Sequence, residues 1–430
     1  MKKINVGIIG FGTIGSGVVK ALKARRSFLR EKTGIDLSIA WICDKDLKTK
    51  RPVKVEKKLL TKFLVKVLHD PKVDIVVELM GGVQPARDAV MEALRQGKHV
   101  VTANKALLSD SGYDIFSLAN SLGLAVGFEA SVGGGIPIIR ALKEGFVANK
   151  IDLIYGIING TSNFILSKMA DEGLSFKDAL LEAQERGYAE KDPRLDVSGG
   201  DSCHKLSVLA MLGFGVFVKA DHIYTEGIED IEPIDIEYAK HSGYTIKLLA
   251  IAKRTSGGLE MRVHPTLIPQ SHLLASVNGV YNAIFVKGDL VGENLFYGQG
   301  AGANPTSSAV VSDIITIARN ICCNSSKSQE IVSLKKDVER IKDMSEIKTR
   351  FYIRFSALDK PGVLAKISGV LAKYKISISS VIQKERKAES IVPIIMMTHE
   401  AYEKDMAAAL KEIDSFSVMK KRSVRVRIEG

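Results

Sequence analysis

The chain has 430 residues, enough for about three domains, and is 46% hydrophobic and 26% charged, which excludes wholesale disorder and a disulfide-stapled miniprotein. Its net charge of +12 raises nucleic acid as a partner, but the excess is uneven: +11 over residues 1–70, −5 over 71–350 and +6 over 351–430. Four cysteines (Cys43, Cys203, Cys322, Cys323) form neither a disulfide framework nor a C-x-x-C pair and fit a reducing cytoplasm.

The N-terminus reads as strand, glycine turn and helix, with a strand over 4–9, the turn GFGTIGSG, and helical spacing over 18–29. Lys2-Lys3 before an apolar stretch superficially resembles a signal peptide, but glycines interrupt it and no cleavage-type site follows. Further strands are expected over 37–43, 75–79, 100–102 and 124–128, with helices over 86–96 and 112–122. Strands alternating with helices predict a doubly wound, mostly parallel sheet of Rossmann type. The longest apolar run, 211–218, is too short to span a membrane.

Within this first region, Gly10, Gly12 and Gly15, with Thr13 and Ile14 between them, form G-x-G-x-x-G at the opening of a helix. Glycine there gives the tight turn and lets backbone approach a pyrophosphate at the positive helix end. Asp44, ending the second strand, suits a ribose 2′-hydroxyl and hence NAD. The following run, from Lys45 through Lys48, Lys50 and Arg51, suits a 2′-phosphate or is simply solvated, so the coenzyme stays open. Lys105, after the strand ending at Thr102, lies where ligands bind in such sheets, or is an ordinary surface lysine.

From 131 to 303 the texture changes to Gly-rich turns between helices and strands, an α+β section. Helices are expected over 162–172, over 176–186 behind the cap Ser175, and from about 199. Asp201 and Lys205 are four apart and share a helix face, which also fits a plain ion pair, and Ser198 with Asp201 fits a capping box. An apolar helix over 304–320 follows, then a polar linker or surface helix over 321–350. The tail over 351–430 reads strand, helix, strand, strand, helix, strand: the ferredoxin-like βαββαβ order.

Taken together, GFGTIGSG, ELMGG (78–82), GKHVVTANKALL (97–108), EASVGGGIP (129–137), GIINGTSNFIL (156–166), GYAE-DP-DVSG-D-KL and GQGAGANPTSSAVVSDI (298–314) resemble the homoserine dehydrogenase family. The tail, with DKPGVL at 359–364, resembles an ACT domain. The resemblance implies a dinucleotide domain over 1–130 completed by 304–320, a substrate and dimerisation domain over 131–303, and a regulatory domain over 351–430. It implies reversible NAD- or NADP-linked interconversion of L-homoserine and L-aspartate 4-semialdehyde.

On the same resemblance Lys205 would exchange the proton, Lys105 would stand at the reacting oxygen, and Asp201 would orient both substrate and Lys205. Glu190, Asp196, Gly160 and Thr161 would hold the substrate. Gly10, Gly12, Thr13, Ile14, Gly15, Asp44, Lys45, Thr102, Lys105, Gly300 and Gly302 would line the cofactor. Glu129, Val132, Gly134 and Ile136 would hold a structural Na⁺, and Asp359, Gly362, Val363 and Leu364 an effector such as threonine. A cytoplasmic homo-oligomer, at least a dimer, with no nucleic-acid or membrane partner is expected. Lys191, Ser202-Cys203-His204 and Ser379-Ser380 depart from the family pattern. The alternatives are a dehydrogenase of a related amino-acid aldehyde and a catalytically silent amino-acid sensor.

Overall fold

The computed structural model describes residues 3–323, 340–383 and 391–430, so most of the linker expected over 321–350 lies outside the described residues. The described chain divides into two compact units, one drawn from Met1–Asp152, His204–His222 and Asn282–Val338, the other from Leu153–Cys203, Ile223–Tyr281 and Glu339–Gly430. All four cysteines are free thiols, and no helix among the described residues is long and apolar enough to cross a membrane.

The first unit is built on six strands: β1 (Lys3–Ile9), β2 (Asp36–Cys43), β3 (Leu60–Thr61), β4 (Ile75–Glu78), β5 (His99–Thr102) and β6 (Val126–Gly127). Their order is β3-β2-β1-β4-β5-β6, and every pairing is parallel, the doubly wound arrangement the alternating pattern predicts. Ile4, Val6 and Ile8 of β1 are all essentially inaccessible to solvent. They pack with Val18, Val19 and Leu22 of the first helix and with Val310 and Ile314 of the helix Ala303–Cys322. Each such side chain stabilises the unit by about 1.5–3 kcal/mol.

Local boundaries differ from the sequence expectation for identifiable reasons. Helical spacing over 18–29 resolves into two helices, Thr13–Ala24 and Arg26–Thr33, separated at Arg25, whose ψ of 11° leaves the helical range. The helix expected over 112–122 begins at Lys105, because the Asn104 side chain accepts the Leu107 N–H and caps it there. The strand expected over 124–128 shrinks to β6, since the Leu124 N–H is spent on the Ala119 carbonyl at the preceding helix end. Beyond the first sheet, this unit adds the strands β11 (Tyr281–Gly288) and β12 (Gly292–Gln299), which neighbour each other.

In the second unit the strands are β7 (Ile151–Ile157), β8 (Tyr224–Thr225), β9 (Tyr244–Thr255), β10 (Gly258–Pro269), β13 (Lys348–Leu358), β14 (Ile378–Gln383), β15 (Ile391–Thr398), β16 (Ala401–Tyr402) and β17 (Met419–Ile428). They follow the order β7-β9-β10-β17-β13-β15-β14, with β8 on β10 and β16 on β13. The last four of that path, with helices Val363–Lys373 and Glu403–Asp414, form the βαββαβ module the tail predicts. β17 pairs in parallel with β10 through Thr266 with Arg427 and Leu267 with Ile428, so one sheet runs through both parts of this unit.

The seam between those parts is lined with buried charge. Arg262 is paired with Glu260 and Glu429, and Tyr155 donates to the other Glu429 oxygen at 2.7 Å. Arg427 reaches Glu403 at 2.7 Å, Glu226 at 2.5 Å and the Tyr224 hydroxyl at 3.0 Å. Arg354 and the Tyr352 hydroxyl both donate to Asp235.

His264 lies within this seam, fully buried, and its Nε2 accepts from the Arg262 Nε at 3.1 Å. Burial, then the Arg427 and Arg262 guanidiniums, hold its imidazole well below the ordinary 6.5. The unfolded chain therefore binds a proton below about pH 6.5 that the folded chain does not. This histidine alone is expected to lower stability by up to about 1.4 kcal/mol per pH unit as pH falls below that point. Urea melts at pH 7.5 and 5.5 should show that slope in the wild type and a shallower one in His264→Gln. Equal slopes would remove His264 from the acid response.

Candidate active site

In the first unit the glycine turn leaves little choice of residue. A Cβ on Gly15 would stand 2.0 Å from the Gly10 carbonyl oxygen, and Gly10 itself has φ +100° with the Leu79 carbonyl 2.5 Å from where its Cβ would be. Gly12, by contrast, has nothing within 4 Å on its Cβ side, which is the open face a pyrophosphate needs. The helix Thr13–Ala24 starts at Gly12 with no side chain bonded to its first amides, so those donors remain for an anion. These features fit a dinucleotide.

Around the turn, the Asp44 carboxylate accepts the Phe11 N–H at 2.5 Å and the Asp46 N–H at 2.8 Å, so it holds β2's exit against the turn. A cavity of about 480 Å³ opens beside it, lined among others by Gly12, Thr13, Lys50, Arg51 and Asn304. Arg51 lies over the Phe11 ring and touches Asp46, yet its Nε is a buried donor with no partner. Lys45 is exposed. Gly302, at φ +114°, turns the chain into the helix Ala303–Cys322, and Gly300 packs directly against the Asn282 side chain.

Thr102 ends β5 fully buried, its hydroxyl donating to Glu78 at 2.7 Å and accepting the Asn104 N–H at 3.0 Å. Glu78, at the end of β4, also accepts the Met80 N–H at 2.7 Å. Burial raises its carboxyl above the ordinary range, against the pull of these donors. Lys105 is the first residue of the helix that Asn104 caps, half-buried at the C-terminal end of the sheet. Glu78 and Asn104 were not singled out by sequence. The available signal was a carboxylate closing an otherwise apolar strand, with an Asn before a helix.

The Glu129 carboxylate accepts the Ile139 N–H and the Arg140 N–H, both at 2.9 Å, and its own N–H donates to Asp313 at 2.8 Å. Both carboxyls are pushed up by burial, Asp313 to about 7. Of the backbone oxygens in this loop, the Ile136 carbonyl accepts the Ile138 N–H at 2.8 Å. Among the described residues no cluster of three His, Cys, Asp or Glu side chains makes a metal site.

In the second unit, the turn after β7 carries Asn159, which caps the helix Gly160–Glu172 by accepting the Ser162 N–H at 2.8 Å. Its amide nitrogen donates to Asp196 at 2.7 Å and to Asp201 at 2.9 Å. One neutral side chain thus brings together two carboxylates that lie in different helices, Arg194–Val197 and Gly200–Phe214. The Ser162 hydroxyl adds a bond to the Asp196 carbonyl, and the Thr161 hydroxyl donates to the Tyr188 carbonyl. Asp201 is buried and Asp196 half-buried, whereas Glu190 is exposed.

Asp201 occupies the first turn of Gly200–Phe214, and Lys205, 9% exposed, follows one turn later on the same face. Asn159 was another residue that sequence reasoning passed over, although an Asn directly before a helix is a recognisable cap. In the tail, Gly362 begins the helix Val363–Lys373 at φ +87°, Val363 is buried in the module's own core, and Leu364 is exposed. Asp359 lies 3.5 Å from the Gln383 amide.

Comparison with known proteins gives three family matches: "Homoserine dehydrogenase, NAD binding domain" over residues 10–129, "Homoserine dehydrogenase" over 137–315, and "ACT domain" over 351–417. A homoserine dehydrogenase of Neisseria gonorrhoeae is 42% identical over 433 residues, covering 100% of this chain and 99% of the relative. The crystal structure of a homoserine dehydrogenase from Thiobacillus denitrificans superposes with a TM-score of 0.92 at 43% identity, covering 100% of this chain and 99% of that one. The S. aureus enzyme follows at 32% identity, full coverage of both chains and a TM-score of 0.78.

Proposed function

The chain belongs to the homoserine dehydrogenase family, and on that premise we propose how its residues carry out the reaction that interconverts L-homoserine and L-aspartate 4-semialdehyde. The observation that carries the assignment is the pair Asp196 and Asp201 held by one Asn159 amide, with Lys205 one helical turn beyond. When bound, NAD or NADP supplies or accepts the hydride at the carbinol carbon. In reduction of the aldehyde, negative charge develops on the carbonyl oxygen. The Lys205 ammonium donates the proton that quenches it and, in oxidation, the neutral amine takes that proton back.

Lys105, at the N-terminus of its helix, adds positive charge for the same oxygen. Asp201 orients the Lys205 ammonium, and Asp196 with Glu190 accepts from the substrate's own ammonium. Gly160 and Thr161, at the start of the helix that Asn159 caps, serve the substrate as well. The first 130 residues with the helix Ala303–Cys322 serve the cofactor, 131–303 the substrate, and 351–430 regulation.

For coenzyme choice we favour NADP. Both Asp44 oxygens already accept backbone N–H groups, while Lys50 and the unpartnered Arg51 Nε line the adjacent cavity. Initial rates with homoserine should give a KM for NADP at least about tenfold below that for NAD, about 1.4 kcal/mol, and Arg51→Ala should close most of the gap. Equal KM values, or a gap that Arg51→Ala leaves untouched, would refute this assignment. The same rates decide the activity itself, since turnover of another amino alcohol but not of homoserine would overturn it. Na⁺ on the 129–136 carbonyls and a homo-oligomeric state complete the reading. Melting should shift down when tetramethylammonium replaces Na⁺, and native mass should be at least twice the chain's 46.8 kDa.

A further inference from the structure

The reaction as described makes no use of Glu78, a side chain with no solvent exposure at the end of β4. β4 neighbours β1 where the strand order reverses, and ligands of such sheets lie in the crevice beyond those two strand ends. A carboxylate buried there carries a desolvation penalty that its partners must offset. Burial raises its pKa, while four donors favour the ionised form: the Thr102 hydroxyl, the Met80 and Gly81 N–H groups and the Asn104 amide. An acceptor at both oxygens, it serves donors from the exit of its own strand and from β5 at once.

Two arms lead from this carboxylate, and both end on Asn104. In the first, the Thr102 hydroxyl donates to one Glu78 oxygen at 2.7 Å and accepts the Asn104 N–H at 3.0 Å. In the second, the other oxygen accepts the Met80 N–H at 2.7 Å, and the Gly82 carbonyl two residues on accepts from the Asn104 amide at 2.6 Å. Gly81 and Gly82 stand at φ +76° and +70°, and with no side chains of their own the course of this turn depends on such bonds. Asn104 in turn caps the helix that starts at Lys105, accepting the Leu107 N–H at 3.1 Å. The residue before Lys105 is thus tied by its backbone and by both polar atoms of its side chain.

We propose that Glu78 is a positioning residue for the reaction: through Thr102 and the Met80–Gly82 turn it holds Asn104, and so aims the Lys105 ammonium at the reacting oxygen. The inference rests on the reading of Lys105 given above. Thr102 is as inaccessible as Glu78, so both act through their neighbours, and every member of the network lies within the first unit. A displacement of about 1 Å at such a group costs up to about a hundredfold in rate.

The test uses the full-length enzyme. Glu78→Met keeps the bulk of the side chain and removes both acceptors, stranding the Met80 N–H and the Thr102 hydroxyl. The kcat for homoserine oxidation should fall at least about tenfold, with the KM for homoserine within about threefold of the wild type, since Asp196 and Asp201 are held by Asn159 in other helices. Thr102→Val cuts the first arm alone and should cost at least about threefold in kcat, which keeps the test open if circular dichroism shows Glu78→Met unfolded. A double-mutant cycle with Lys105→Ala, itself expected to lose at least about tenfold, then separates aim from general loosening. In that background both substitutions should change kcat by less than about twofold, because a lysine that is gone cannot be misaimed. Equal losses with and without Lys105 overturn the role of Glu78 and leave that of Lys105 standing, as does wild-type kcat in the folded variants. Wild-type turnover in Lys105→Ala overturns the reading of Lys105 and the inference with it.

Discussion

Replacing Lys205 by alanine is expected to cut turnover at least about a hundredfold, roughly 2.7 kcal/mol of transition-state stabilisation, while the dissociation constant for NADP changes little. The side chain lies 9% exposed, one turn from the buried Asp201, which the Asn159 amide in turn holds. On the proposed role Lys205 acts on the reacting oxygen, whereas the dinucleotide turn at Gly10–Gly15 belongs to a different element. Lys205→Arg keeps the positive charge but supplies a group that does not release its proton at working pH, so it should fail to restore the rate. Single-turnover kinetics in both directions, with a fluorescence titration of NADPH, separates these effects. Full turnover in Lys205→Ala would strip the residue of its role, and recovery in Lys205→Arg would reduce that role to charge alone.

Arg427→Met is expected to destabilise the second unit by about 3–5 kcal/mol, because it strands the Glu226 carboxylate and leaves the buried Glu403 to Arg425 alone, at 2.9 Å. The Arg427 side chain is 1% exposed between Glu403, itself 4% exposed, and Glu226, with Tyr224 as a further acceptor. Burial pushes the Glu226 carboxyl up, yet the charge and hydrogen bond of Arg427, with the Tyr224 hydrogen bond and the Arg425 charge, together more than offset it and leave it below the ordinary range. Pairing Arg427→Met with Glu226→Gln removes the stranded charge along with its partner and should recover part of the loss. Urea denaturation followed by circular dichroism reads both variants. A single substitution costing under about 1 kcal/mol would mean that water reaches these carboxylates.

How far the sequence reveals this molecule depends on whether a feature is local. The helices Val363–Lys373 and Glu403–Asp414 fall in the order the tail predicts, because each carries its apolar stripe in consecutive turns. The glycine turn is equally legible, its chemistry being complete within six residues. Arg262 and Arg427 are not. In strands with alternating polarity they read as solvent-facing positions, and alternation tells which side a residue takes, never whether another element covers that side. Glu78 and Asn159 fail for a related reason: the partners that give them meaning, Thr102 and the Asp196 and Asp201 carboxylates, are 24 to 42 residues away. The basic run after Asp44 reads as one patch, yet Arg51 folds back over Phe11 while Lys45 stays in solvent.

The parallel pairing of β10 with β17 also bears on how the chain is made. β10 emerges from the ribosome about 160 residues before the strand that will cover the Thr266–Leu267 stretch of its edge, an interval of roughly 8–30 s at ordinary translation rates. For that time the nascent chain presents open backbone that could recruit another copy. Pro265 and Pro269, which bracket the stretch and offer no N–H, make it a poorer template for such mispairing than an unbroken apolar strand would be.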